Sequence, residues 1–164
     1  MSLPYANASN ALLDRIKLVL SKDGLALYGE DVAVPTVDRF LGKKRPPYFV
    51  WTDPLAKSTS TTGGATSWQY SIEFSLYVYM FATHTDPEVA LSAVSHWMNS
   101  AFLGISAEAT LGGTVDIAIP RMSDSGYDTT PDKKYVVAAE LEVMCKVASV
   151  CPNEIRELVR NAGK

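Results

Sequence analysis

The residues able to do chemistry are few, and their spacing decides what they can do. His84 and His96 are the only histidines and stand twelve residues apart. His84 falls just before a predicted helix and His96 on that helix's polar side, whereas paired ligands from one helix need a spacing of about three or four. They read as surface histidines, and a ligand-binding or enzymatic pocket near them is the competing expectation. Asp124, Asp128 and Asp132 share a polar stretch. Without the central glycine and closing glutamate of a calcium loop, they read as solvated loop residues. Glu140 and Glu142 share one strand face, the arrangement of a paired-carboxylate acid and base. An exposed sheet face, or one that meets a basic partner, accounts for them more simply.

The other reaction signatures are incomplete. Gly104-Ile105-Ser106-Ala107-Glu108 lacks the closing glycine of a nucleophile elbow. Gly63-Gly64 and Gly112-Gly113 stand without the Lys and Ser/Thr that a phosphate-cradling loop requires, and no dinucleotide fingerprint is present. Cys145 and Cys151 are too far apart in extended chain for a disulfide and have no zinc-like spacing. They read as reduced thiols, with Cys145 a packing residue. These features predict neither catalysis nor a metal or cofactor.

Composition narrows the classes further. Apolar residues make up 47% of the 164 and charged residues 20%, a balance that builds a core and argues against disorder. A formal charge of −3, with Lys43, Lys44 and Arg45 as the one basic cluster, argues against a general nucleic-acid binder. No run approaches the roughly 18 consecutive apolar residues of a membrane span, and no secretory signal is visible.

The elements that must carry these residues follow from periodicity. An apolar stripe of Leu12, Leu13, Ile16, Val19 and Leu20 predicts a helix over 10–22, ended by Gly24. Residues 1–8 are expected to be mobile. Val37 to Leu41 predicts a short helical turn, and Tyr48 to Thr52 a strand entered from two prolines. The stretch 53–67, rich in Ser, Thr and Gly, predicts a mobile loop. Trp68 to Ala82 alternates over its whole length, with Ile72, Phe74, Leu76, Val78 and Met80 on one side. Its other face begins polar, at Ser71 and Glu73, and becomes aromatic at Tyr77, Tyr79 and Phe81.

Asp86 and Pro87 start a helix whose stripe is Ala90, Leu91, Val94, Trp97, Met98 and Ala101. A strand over 114–120 points Val115, Ile117 and Ile119 one way, and a polar loop is expected over 121–133. Tyr135 to Val147 alternates with Glu140, Glu142 and Lys146 on its polar side. Pro152 opens a last predicted helix with a stripe of Ile155, Leu158, Val159 and Ala162. A single α+β domain results, a mainly antiparallel sheet of long strands with helices packed on one face.

In order and texture the chain resembles the tail-terminator (tail-completion, minor tail protein U-like) family of long-tailed bacteriophages and prophages. The resemblance rests on Pro46 to Trp51, the Ser/Thr/Gly stretch leading into Trp68 to Ala82, the helix beginning Asp86-Pro87-Glu88, and the late strand from Lys134 to Val147. It implies a non-enzymatic homo-oligomeric ring, typically a hexamer, that caps the tail tube and stops its polymerisation. Tail-tube and head-completion proteins are the implied partners, with DNA only passing through and no membrane involved. The implied location is the virion tail, after assembly in the host cytoplasm. By that analogy the polar loops supply contacts through Lys57, Thr61, Gly63, Gly64, Asp124, Tyr127 and Asp128. The mixed face of the long strand adds Glu73, Tyr77 and Tyr79 as a subunit interface. A neighbouring head–tail joining protein, and a plain dimeric scaffold with an exposed apolar sheet face, are the other structural readings.

Overall fold

The computed structural model describes residues 4–27, 32–40, 45–62 and 70–150. In chain order the elements are α1 (Pro4–Val19), α2 (Lys22–Ala26), β1 (Thr36–Asp38), β2 (Tyr48–Thr52), β3 (Lys57–Thr62), β4 (Tyr70–His84), α3 (Pro87–Ala107), β5 (Ile117–Thr129) and β6 (Tyr135–Val150). The fold is α+β, with one sheet ordered β1-β2-β4-β6-β5 and β3 added to β4. Every pairing is antiparallel except that of β1 with β2.

β4 and β6 form the centre, in register from Ile72 opposite Val147 to His84 opposite Tyr135. Period two then sends Leu76, Val78, Met80, Leu141 and Val143 to one face, where all five are fully buried. α1 and α3 cover that face. Trp97 of α3 is completely buried there, and its indole Nε1 donates to the Ala33 carbonyl at 2.8 Å. A buried indole N–H needs such an acceptor, so one bond ties the chain before β1 to the helix layer.

Several expectations are corrected by packing. α1 begins at Pro4 rather than near Asn10, because Tyr5 and Ala8 extend its stripe by more than a turn. Ala8 is fully buried, and the Tyr5 ring meets Phe74 edge-on at 5.0 Å, so residues 4–8 are helical rather than mobile. Gly24 does not end α1 but lies within α2, whose cap Ser21 accepts from the Gly24 amide at 3.1 Å. A Cβ at Gly24 would stand 2.4 Å from the Leu18 carbonyl oxygen, so glycine permits the chain to fold back on the end of α1. Val37 and Asp38 join β1, not a helical turn, since β2 offers their backbone a parallel partner, and Leu41 lies outside the described residues. In the α3 stripe, Leu91 is exposed and Ala93 and Ile105 take the buried positions.

The two stretches expected as loops both contain strand. Residues 57–62 pair as β3 with the edge of β4 between Ser71 and Ser75, beside β2, which pairs between Val78 and Ala82. The Asp53 amide bridges the two by donating to Tyr77 O at 3.0 Å. Residues 117–129 run on as β5, closed onto β6 by a turn in which Thr130 N donates to Lys134 O at 2.8 Å. Ladder hydrogen bonds need no apolar side chains, so polar sequence hides such strands. The phase of β5 is also reversed: Ala118 and Pro120 face the core, while Ile117 and Ile119 are 42% and 50% exposed. Ala118 opposes buried Cys145, and Ile119 opposes exposed Met144, so β6 sets the phase. Val115 is buried but precedes the strand, and so does not share its alternation. Positions 63–69 and the predicted helix after Pro152 lie outside the described residues.

α1 and α3 approach closely at Gly104, where a Cβ would fall 2.4 Å from Cγ1 of Val19. Gly104→Ala is expected to lower stability in urea unfolding by about 1–3 kcal/mol, the usual cost of overpacking. Val19→Ala should cost less in that background than in the native sequence. Additive effects of the two changes would refute the steric contact.

Candidate functional site

The sheet face turned away from the helices is built in rows across paired strands. Phe49 stacks on Phe81 with ring centroids 4.7 Å apart, and Trp51 on Tyr79 at 5.0 Å. Tyr79 in turn stacks on Tyr77 at 6.3 Å. The aromatic half of this face, expected from the sequence, is therefore two stacked groups across β2 and β4, Phe49 with Phe81 and Trp51 with Tyr79 and Tyr77. Tyr77 and Tyr79 are half-buried within it.

Beside this stack Glu142 is buried, which corrects the expectation that it lies on an exposed face. Its Oε1 accepts from Ser75 Oγ at 2.6 Å and from the Tyr77 hydroxyl at 3.4 Å. Its Oε2 accepts from Nε and Nη2 of Arg121, each at 2.7 Å. Register explains the cluster, since Tyr77, Glu142 and Arg121 are direct cross-strand neighbours on β4, β6 and β5. The basic partner anticipated for this carboxylate is thus within the same chain. Glu140 has a separate environment and accepts from Ser123 Oγ at the irregularity between Met122 and Asp124. The two glutamates do not form an acid–base pair: each carboxylate is held by its own donors.

The candidate interface residues divide between surfaces. Glu73, Tyr77, Tyr79, Asp124 and Asp128 share the outer face, where Glu73 pairs with Lys146 at 3.5 Å. Lys57 and Thr61 lie on β3, opposite Ser75 and Ile72 of β4. Tyr127 points to the opposite, helix-bearing face and is 82% exposed. Gly63 and Gly64 lie outside the described residues. Asp124 and Asp128 accept from the backbone amides of Ser125 and Thr129, and among the described residues no group of three His, Cys, Asp or Glu could hold a metal. On the outer face, Ile117, Ile119 and Met144 form an exposed apolar patch that the sequence phase had concealed.

On the helix side, a groove of about 840 Å³ opens between α3 and the β5–β6 hairpin. Leu91, Val94 and Met98 form one wall, and Met122, Tyr127 and Val137 the other. Neither histidine lines it. His84 Nδ1 instead accepts from the Asp86 amide at 2.9 Å, in the turn entering α3. Cys145 is buried, and burial pushes its thiol up to about 12, as suits a packing residue. Cys151 lies outside the described residues. The only signal for the groove was the presence of Met122 and Tyr127 within an otherwise polar stretch.

Comparison with known proteins finds no matching family model and no curated protein similar enough to count as a relative.

The Ser75 hydroxyl, followed by the Arg121 guanidinium, holds the Glu142 carboxyl below its ordinary value of 4.5. A depressed native value means stability that is present at neutral pH and lost as pH falls below about 4.5 through the folded value. Glu142→Gln should cost on the order of 1–3 kcal/mol at pH 7. It should also flatten the fall in unfolding free energy between pH 5 and pH 3, measured by denaturant titration. Parallel acid profiles for the two proteins would show that another group carries the dependence.

Proposed function

We propose that this chain is a virion assembly subunit of the tail-terminator kind, whose copies close head to tail into a ring on the end of a tail tube. The ring stops tube growth and presents the surface to which a head-completion protein joins. One observation carries the proposal: a single sheet bears two unlike exposed surfaces on opposite faces. One is the outer patch of Ile117, Ile119 and Met144, and the other is the apolar groove beneath Leu91, Met122 and Tyr127. A two-fold dimer needs one self-complementary patch, whereas two unlike patches suit a heterologous contact, which closes into a ring when its rotation permits. The charge of −3 fits a ring through which DNA slides without being held.

The test is to polymerise the tail-tube protein encoded with this chain, in its presence and absence. Electron microscopy should show shorter tubes, with a gold label on the chain at one end only. Tubes of unchanged length with no terminal label would exclude the terminator function. A label found instead at the head connector would favour a neighbouring joining protein.

A further inference from the structure

We infer that the groove between α3 and the β5–β6 hairpin receives the segment around Ile155 to Ala162 of a second copy of this chain. The inference rests on the proposed assembly function and deepens it by naming what fills one of its two surfaces, the groove, between successive subunits. Its first support is spacing. Ile155, Leu158, Val159 and Ala162 stand at i, i+3, i+4 and i+7, the anchor pattern with which an amphipathic helix enters an apolar groove. The groove offers the complementary surface, with Leu91 49% and Met122 61% exposed on its two walls. Glu88 is the one charged residue lining it. The segment carries Arg156 and Arg160 together with Glu154 and Glu157, so its charge is balanced and the apolar anchors carry the fit.

Reach then decides whose segment it is. Tyr135, Val137 and Ala139 line the groove, but β6 runs from there to Val150, opposite Tyr70 at the far end of β4. The eleven residues from Ala139 to Val150 span about 36 Å at ~3.3 Å each. Leu158 follows Val150 by only eight residues, roughly 12 Å as helix and at most about 28 Å fully extended. The near edge of the groove, at Met122 opposite Leu141, is about 30 Å from Val150, so as a helix the centre of the stripe falls short of its own groove. A neighbouring copy has no such limit, and a contact between different surfaces of two copies is the head-to-tail kind.

A fluorescein-labelled peptide of residues 151–164 tests this when titrated into the full chain carrying Leu158→Asp, whose own segment is disabled. Saturable binding is expected, weakened at least about tenfold by Leu91→Asp in the protein or Leu158→Asp in the peptide. Absence of binding, or binding indifferent to Leu91→Asp, overturns the inference and leaves the groove to a partner of another sequence. A second measurement avoids any loss through misfolding: Ser95→Cys and Leu158→Cys placed on differently tagged chains should give a mixed-tag disulfide product. No mixed product would also overturn it. Peptide binding without tube termination would uphold the contact and exclude the terminator function. Tube termination undiminished by Leu158→Asp would do the reverse.

Discussion

The structure depends on the antiparallel register of β4 with β6. Fourteen paired positions hold it, from Tyr70 opposite Val150 to His84 opposite Tyr135. With a side-chain period of two, a slip by one residue would send Leu76, Val78, Leu141 and Val143 to the outer face and bury Glu73 and Lys146 beneath the helices. The polar side restricts the register as well. Glu142 is buried on the outer face, and only the observed alignment brings Ser75, Tyr77 and Arg121 to its two oxygens together. A buried carboxylate without these donors would be costly, so the cluster penalises slippage on the face where apolar packing is weakest.

The same pairing explains what the sequence could and could not reveal. The alternation from Ile72 to Met80 and from Val137 to Cys145 was legible because helices cover one face and leave the other in partial contact with solvent. The start of α3 was legible through Asp86, whose side chain accepts from the Glu88 amide at 2.9 Å as its cap. β3 and the distal part of β5 were not legible. Their order comes from backbone bonds to a neighbour, and residues 121–129 are exposed throughout, so neither pattern nor burial marks them. The phase of β5 was misread because two isoleucines suggested a core face, whereas the opposing residues of β6 decide which side is covered. Of the site, the aromatic row was anticipated. Arg121 as the partner of Glu142, and the groove itself, required the register and the helix position.

β5 lies at one end of the strand order among the described residues, and this bears on association. Exposed along its whole distal length, the hairpin presents a sheet edge of the kind that recruits stray strands. Its sequence counters this: Pro120 removes a backbone donor, the ladder is irregular between Met122 and Asp124, and Asp124 and Asp128 add charge. The edge is thereby discouraged from indiscriminate pairing while the hairpin's inner face stays apolar. On the proposed contact, association would be directed away from the edge and toward the groove.

That division would suit the proposed assembly subunit, which has to associate only in the right setting. A generic open edge could add copies without limit or recruit unrelated strands, whereas a groove that accepts one short stripe of anchors is selective by shape and spacing. A segment of a few anchors buries little area, so a single junction between two free subunits would be weak. In a closed ring every subunit both gives and receives such a segment, and the last junction forms between ends already held together. The effective concentration of that closing step makes the complete ring far more stable than any open chain of the same contacts. A template that holds the first subunits side by side, as the end of a tube would, lowers the same cost for every junction. On the proposed assembly, weak pairwise docking and firm closure on a template would be two results of one groove and one short stripe.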